Sequence, residues 1–157
     1  MQEQSGGLRA LLFEGIRRDT MNGRTGGAKG GMAMDEMQMR RVRDAICAIR
    51  CGAADSEETL HAQVCEALTA AGFSPVHEAR LGPRCRIDFL VEDLGVEIKK
   101  SRPSPTQLKA QLARYAACGQ VGALLVIAPR GVNLPRTIGG KPVAQIALER
   151  LWGISLP

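Results

Sequence analysis

Residues 85–100 constrain this chain more than any other stretch, because apolar and polar side chains alternate there with a period of two. The run Arg86-Ile87-Asp88-Phe89-Leu90-Val91 is followed, after a few residues, by Gly95-Val96-Glu97-Ile98-Lys99. Successive side chains of a strand point to opposite faces. The pattern therefore predicts two strands, over 85–92 and 95–100, with Asp93, Leu94 and Gly95 at the turn. Ile87, Phe89 and Val91 fall on one face of the first strand, and Arg86, Asp88 and Leu90 on the other. If Asp93 and Leu94 close the turn, Glu92 faces Gly95, Leu90 faces Glu97 and Asp88 faces Lys99. Directly opposed residues project to the same side of a sheet. Asp88, Glu97 and Lys99 are thus expected on one face, with Ile87, Phe89, Val91, Val96 and Ile98 covering the other.

The flanking sequence supplies the remaining elements. Met39, Val42, Ile46 and Ile49 recur at helical spacing, predicting a helix over 35–50 with Asp35 and Glu36 at its positive end. Ser56 is a natural N-cap for a second helix carrying the stripe Leu60, Val64, Leu68 and Ala71, stopped by Gly72. A first strand is expected over 76–80. Pro103 and Pro105 break the chain before a helix over 106–118, with Leu108, Gln111, Leu112 and Tyr115 on one side. The apolar run 121–128 reads as a strand buried on both faces. A last strand covers 142–147, followed by a turn of helix through Trp152. The order is helix, three strands, helix, strand, strand: an α/β fold with a mixed central sheet flanked by helices. Residues 1–33 carry a short helical pattern at 8–17 and then a Gly-rich stretch, and read as a flexible segment. Residues 34–52 are expected as a helical extension and 53–157 as the main domain.

Two carboxylates and an ammonium on one sheet face admit two readings. One is a solvated cross-strand ion pair contributing about 0.2–1 kcal/mol. The other is a site where a divalent cation relieves the repulsion between the acids; Mg²⁺ suits a few carboxylate oxygens plus waters and phosphate oxygens. The net charge of +5 is compatible with contact to phosphates. Aromatics at 3% argue against a single-strand binder that stacks bases on a row of rings. The five cysteines fit no zinc spacing and read as reduced residues. No apolar run is long enough for a membrane helix, and Glu14 interrupts Leu11-Leu12-Phe13 before a signal core can form, so a cytoplasmic protein is expected.

The Asp88 strand followed by Glu97-Ile98-Lys99 resembles the core motif of the PD-(D/E)XK nuclease superfamily, which includes restriction enzymes, Holliday junction resolvases and RecB-like nuclease domains. The resemblance covers residues 56–147. Ile87 stands where the name-giving pattern has Pro. The helix after the motif contains Gln111 and Tyr115, similar to the Gln-x-x-x-Tyr element of RecB-like members, and the preceding helix offers Glu57. Glu58 is the competitor, but Glu57 shares a helical face with Leu60, His61 and Val64. The resemblance implies a restriction endonuclease-like αβββαβ core and an Mg²⁺-dependent deoxyribonuclease, with Mn²⁺ as a substitute. It implies Asp88, Glu97, Glu57 and the Ile98 carbonyl as metal ligands, and Lys99 as the residue that positions water and stabilises the transition state. Gln111 and Tyr115 would orient the lysine or a phosphate, and DNA repair, recombination or defence would be the setting. Arg84, Arg86, Lys100 and Arg102 are candidate contacts to the nucleic-acid backbone. The small size of the domain is compatible with a homodimer. Two other classes remain open: a catalytically inactive nucleic-acid-binding domain of the same fold, and a structural or partner-binding domain of a mobile element. His61, His77 and Glu78 are expected as surface, boundary or supporting residues.

Overall fold

The computed structural model describes residues 35–50 and 56–150. The helix expected at 8–17, the Gly-rich stretch, Cys51 and the turn through Trp152 lie outside the described residues. Helix α1 (Glu36–Cys47) starts from a capping box: Asp35 accepts from the Gln38 amide at 2.7 Å, and the Gln38 side chain accepts from the Asp35 amide at 2.8 Å. Helix α2 (Glu57–Ala70) starts at Ser56, whose hydroxyl accepts from the Thr59 amide. It stops at Gly72, whose φ of +86° lets the Phe73 amide reach back to the Leu68 carbonyl. Arg41 reaches across from α1 to the Ala71 carbonyl and lies over the Phe73 ring, so it ties the end of α2 to α1.

The strands are β1 (Val76–Gly82), β2 (Cys85–Val91), β3 (Leu94–Ile98), β4 (Ala123–Ala128), β5 (Thr137–Ile138) and β6 (Lys141–Ala147). Helix α3 (Pro105–Ala116) separates β3 from β4, with Pro105 at its first turn, where the missing N–H costs nothing. The six strands form one mixed sheet in the order β1-β2-β3-β4-β6-β5. β1, β2 and β3 are an antiparallel meander, β3 and β6 run parallel to β4, and β5 closes the far edge antiparallel to β6. The two-residue β5 has no alternation to betray it in sequence. A 3-10 turn (Leu148–Arg150) follows β6.

Two apolar layers sandwich the sheet. α1 and α2 cover one face, with Val42, Ile46, Val64 and Leu68 fully buried against Phe89, Val96, Ile98, Leu125 and Ile127. α3 covers the other through Leu108, Leu112, Tyr115 and Ala116, packed on Ile87, Leu124, Val126 and Ala128. β4 is buried along its whole length, as its uninterrupted apolar sequence requires.

The β2–β3 hairpin departs from expectation in two ways. Its turn is Glu92-Asp93, with Val91 opposite Leu94, Leu90 opposite Gly95 and Phe89 opposite Val96. Glu92 adopts φ +56°, and the Asp93 carbonyl accepts from the Gly122 amide at 2.7 Å, fixing the turn against the start of β4. The turn has the expected length but begins one residue earlier, so the partner of each β2 residue shifts by two. Continued along the strands, it sets Asp88 against Glu97 rather than Lys99.

The second departure is at Asp88. Ile87 is not on the face of Phe89 and Val91: it packs in the α3 layer, whereas they pack in the α1–α2 layer. β1 changes sides at the matching place, since His77 stacks with Phe89 while Ala79 and Leu81 join Ile87. Between His77 and Ala79 stands Glu78 with φ +51°, a left-handed residue inside a strand. The two strands turn over together at the Glu78–Asp88 position, and an alternation argument cannot anticipate such a kink.

This kink has a thermodynamic signature. At a regular strand position Val is favoured over Gly; at a left-handed position the order inverts. Glu78→Val is expected to be less stable than Glu78→Gly by about 1–2 kcal/mol in urea unfolding. A Val variant as stable as the Gly variant would contradict the kink.

Candidate active site

Beyond the Phe89–Val96 pair, β2 and β3 part, and polar side chains fill the fork. The Ile98 amide donates to Asp88 Oδ2 at 2.6 Å, while the next amide, Lys99, donates to Ile127 of β4 at 2.8 Å. On the β2 side, the Arg86 carbonyl accepts from the Tyr115 hydroxyl at 2.9 Å. The Asp88 side chain has thus taken a place that strand pairing would otherwise fill. Asp88 reaches into the plane of the sheet, and no described residue donates a hydrogen bond to its Oδ1.

Glu97 is 2% exposed, the one buried charged residue among those described. Its Oε1 accepts from Lys99 Nζ at 2.5 Å and from Gln111 Nε2 at 2.7 Å, and its Oε2 lies 3.0 Å from the Tyr115 hydroxyl. Gln111 Nε2 also donates to the Tyr115 oxygen at 2.6 Å. Gln111 and Tyr115 are four residues apart on α3, so they meet on one helix face and hold Glu97 from the α3 side. Burial pushes the Glu97 carboxyl above its ordinary value, and the charge of Asp88 pushes it further; Lys99 and Tyr115 oppose the rise. Burial likewise raises the Tyr115 phenol, with help from the Glu97 charge.

The hydrogen-bond inventory explains why Glu97 favours a positive partner. The phenol has one proton, and it faces two acceptors, Arg86 O and Glu97 Oε2. With Glu97 ionised, one of them goes without. A proton on Glu97 Oε2 could itself donate to the phenol oxygen and free the phenol proton for Arg86. A cation at Oε2 would serve the same end. Asp88, Glu97 and Lys99 together, when all are ionised, lack one positive charge for neutrality.

Helix α2 approaches the fork from the opposite face. His61 Nε2 is sequestered from solvent, has no hydrogen-bond partner, and lies 3.9 Å from Asp88 Oδ2 and 4.0 Å from Glu57 Oε1. Its Nδ1 is 3.3 Å from His77 Nε2, and its ring packs near Phe89. His61, half-buried, therefore stands beside Asp88. The spacing that turns Glu57 toward the sheet also turns His61 there, one helical turn on, and that signal was available in the sequence. Glu57 is mostly exposed and reaches the cluster through His61.

The structure thus gathers Asp88, Glu97, Lys99, Gln111 and Tyr115 at the fork, with Ile98 supplying backbone between Glu97 and Lys99, and sets Glu57 at its rim. Asp88 and Glu97 do not share a simple sheet face; they converge at the fork from different directions. The basic candidates lie apart from this hydrogen-bonded group. Arg86 is exposed and paired with Glu78 at 3.1 Å, Arg84 occupies the β1–β2 turn with φ +55°, and Lys100 and Arg102 are exposed in the loop after β3. Because β2 and β3 are antiparallel, these four positions lie toward one end of the sheet, the end at which the fork opens.

The donor set can be tested for a divalent cation. Two carboxylates that repel one another, one with an open oxygen, stand beside an orphaned buried imidazole nitrogen. That set fits a hard divalent ion with water in its shell. Among the described residues no three His, Cys, Asp or Glu side chains stand as a ready-made metal cluster, so solvent or a ligand would complete the coordination. Compared with protein-family models, with curated proteins and with solved structures, the chain matches none.

The raised Glu97 carboxyl predicts a pH dependence. Folded Glu97 holds its proton to higher pH than the unfolded chain, whose value is near the ordinary 4.5. Its contribution to stability is therefore complete below that value and is lost as pH rises through the folded one. In chelator, urea unfolding of the parent chain should lose stability over this rise, and Glu97→Gln should lack that component. Identical pH profiles for the two proteins would contradict the assignment.

Proposed function

We propose that this chain is a PD-(D/E)XK-type, metal-dependent nuclease that hydrolyses phosphodiester bonds of DNA. The observation that carries the reading is a buried glutamate, Glu97, paired with Lys99 and crowded by Asp88 at the mouth of a splayed hairpin. A solvated cross-strand ion pair needs no such burial, and it needs no network from a separate helix. Support also comes from the element order α2-β1-β2-β3-α3-β4, which is the αβββαβ order that the sequence resemblance implies.

In this reading Asp88, Glu97 and the Ile98 carbonyl would hold Mg²⁺ or Mn²⁺, with Glu57 and His61 near enough to act directly or through water. Such an ion, when bound, neutralises phosphate charge and lowers the pKa of a bound water. Gln111 and Tyr115 are positioning residues: each contacts one oxygen of Glu97, and a hydrogen bond joins the two to each other, so the Glu97 rotamer is set before substrate arrives. Lys99 Nζ, held at Glu97 Oε1, spends one of its three protons there and keeps two for substrate. It would donate to a phosphate oxygen as negative charge builds on the attacked phosphorus. Water adds to phosphorus, the bond to the 3′ oxygen breaks, and that oxygen takes a proton, leaving a 5′-phosphate and a 3′-hydroxyl. Arg84, Arg86, Lys100 and Arg102 would bind the backbone without reading sequence.

Incubation with plasmid, linear and single-stranded DNA tests this directly. Cleavage is expected with Mg²⁺ or Mn²⁺ and not with EDTA. Glu97→Ala and Lys99→Ala should each lower the rate by about 10²-fold or more while remaining folded by circular dichroism. Cleavage unchanged in both variants would reject the site. Binding of DNA without cleavage in any metal would favour the inactive nucleic-acid-binding alternative.

A further inference from the structure

A pair of thiols lies at the C-terminal end of α3, one turn beyond Tyr115 and outside the acidic cluster. Cys85 opens β2, directly after the Pro83-Arg84 turn, and Cys118 follows the C-terminus of α3. They are 33 positions apart in sequence, yet their sulfurs are 3.7 Å apart, and neither is in a disulfide. Both are half-buried against the α3 layer. The Cys118 thiol also approaches the Arg114 carbonyl at 3.3 Å, and Lys141 Nζ donates to the Cys118 carbonyl at 2.7 Å, fixing the chain at that point. Cys47 and Cys65 sit in the opposite layer, against α1 and α2.

We infer that Cys85 and Cys118 form a reversible dithiol–disulfide pair, a modification site for low-molecular-weight disulfide oxidants. A disulfide requires sulfurs about 2.0 Å apart, so the pair must close by less than 2 Å. Chemically, a thiolate of the pair attacks the oxidant RSSR, forming a mixed disulfide and releasing RS⁻. The second cysteine then attacks the protein-side sulfur of that mixed disulfide, displacing the second RS⁻. Two thiols lose two protons and two electrons, and RSSR becomes two RSH. Burial, then the contact with Cys118, raises the Cys85 thiol, which suits it to the second, resolving step.

The location gives the bond a structural consequence that does not rest on the nuclease reading. Cys85 is the neighbour of Arg86, whose carbonyl accepts from Tyr115, and the Cys118 amide donates to the Tyr115 carbonyl at 2.9 Å. The two sulfurs therefore bracket the contact between β2 and α3. That contact is already made with both cysteines reduced, so the bond braces an arrangement that exists rather than creating another.

The test uses the full chain, reduced, freed of reductant, and exposed to excess glutathione disulfide. Alkylation, proteolysis and mass spectrometry are expected to find a Cys85–Cys118 cross-link within single chains, reversed by dithiothreitol. The thermal midpoint should rise by roughly 5–15 °C on oxidation. The rise should be absent in Cys85→Ser and in Cys118→Ser and kept in Cys65→Ser. Cys85 and Cys118 remaining fully alkylatable after oxidation would overturn the proposal, and so would stable mixed disulfides with glutathione at either position.

Discussion

In an uninterrupted hairpin the Ile98 amide would donate to a carbonyl of β2. Here it donates to the Asp88 carboxylate, and the rest of the polar site follows from that exchange. A side chain that supplants a backbone partner ends the ladder and lets the strands part. Close by on β2, the Arg86 carbonyl accepts from Tyr115 of α3. Glu97 then finds itself in the gap, within reach of α3 on one side and of Asp88 on the other. The kink at Glu78 in the neighbouring strand accommodates the turnover, so three strands share the distortion. Strain concentrated at one level of a sheet is a common companion of function, and here it coincides with the contacts among Glu97, Gln111 and Tyr115.

Packing holds the distortion open. α3 is anchored by Leu108 and Leu112, fully buried, and Tyr115 and Gln111 ride on the same helix. α2 is anchored by Val64 and Leu68, and His61 rides on it. Each polar side chain at the fork is thus one turn or less from an apolar anchor. Desolvation is the consequence: Glu97 loses water and faces the Asp88 charge, Lys99 and Tyr115 offset this only in part, and its carboxyl is raised. A buried acid in that condition gains from a proton at low pH, and in our proposal gains from a divalent ion at neutral pH.

Most of the architecture was legible in the sequence because its signals are local. Ser56, Gly72, Pro105 and the unbroken apolar run of β4 announce their elements through capping, termination and burial on two faces. The hairpin was legible as a hairpin, but not its register, because a two-residue shift preserves the alternation and changes only who stands opposite whom. Asp88, Glu97 and Lys99 could be singled out from strand alternation, and Gln111 and Tyr115 from their resemblance to the Gln-x-x-x-Tyr element. The fork could not be seen, since it depends on Glu78 adopting a left-handed conformation that its residue type disfavours, and on a hydrogen bond between side chain and backbone. His61 was passed over although Glu57, four residues earlier, had already fixed the direction of that helix face. The closeness of Cys85 and Cys118 is purely tertiary: no spacing rule joins the start of a strand to the end of a helix two elements later.

In our proposal Asp88 and Glu97 stand close enough at the fork to share one divalent ion. Titration of the chain with Mn²⁺, followed by electron paramagnetic resonance, measures that sharing without any substrate. One tightly held Mn²⁺ per chain is expected near neutral pH, released by Asp88→Asn and by Glu97→Gln alike. Retention of the ion in either variant, or no binding in the parent chain, would contradict it.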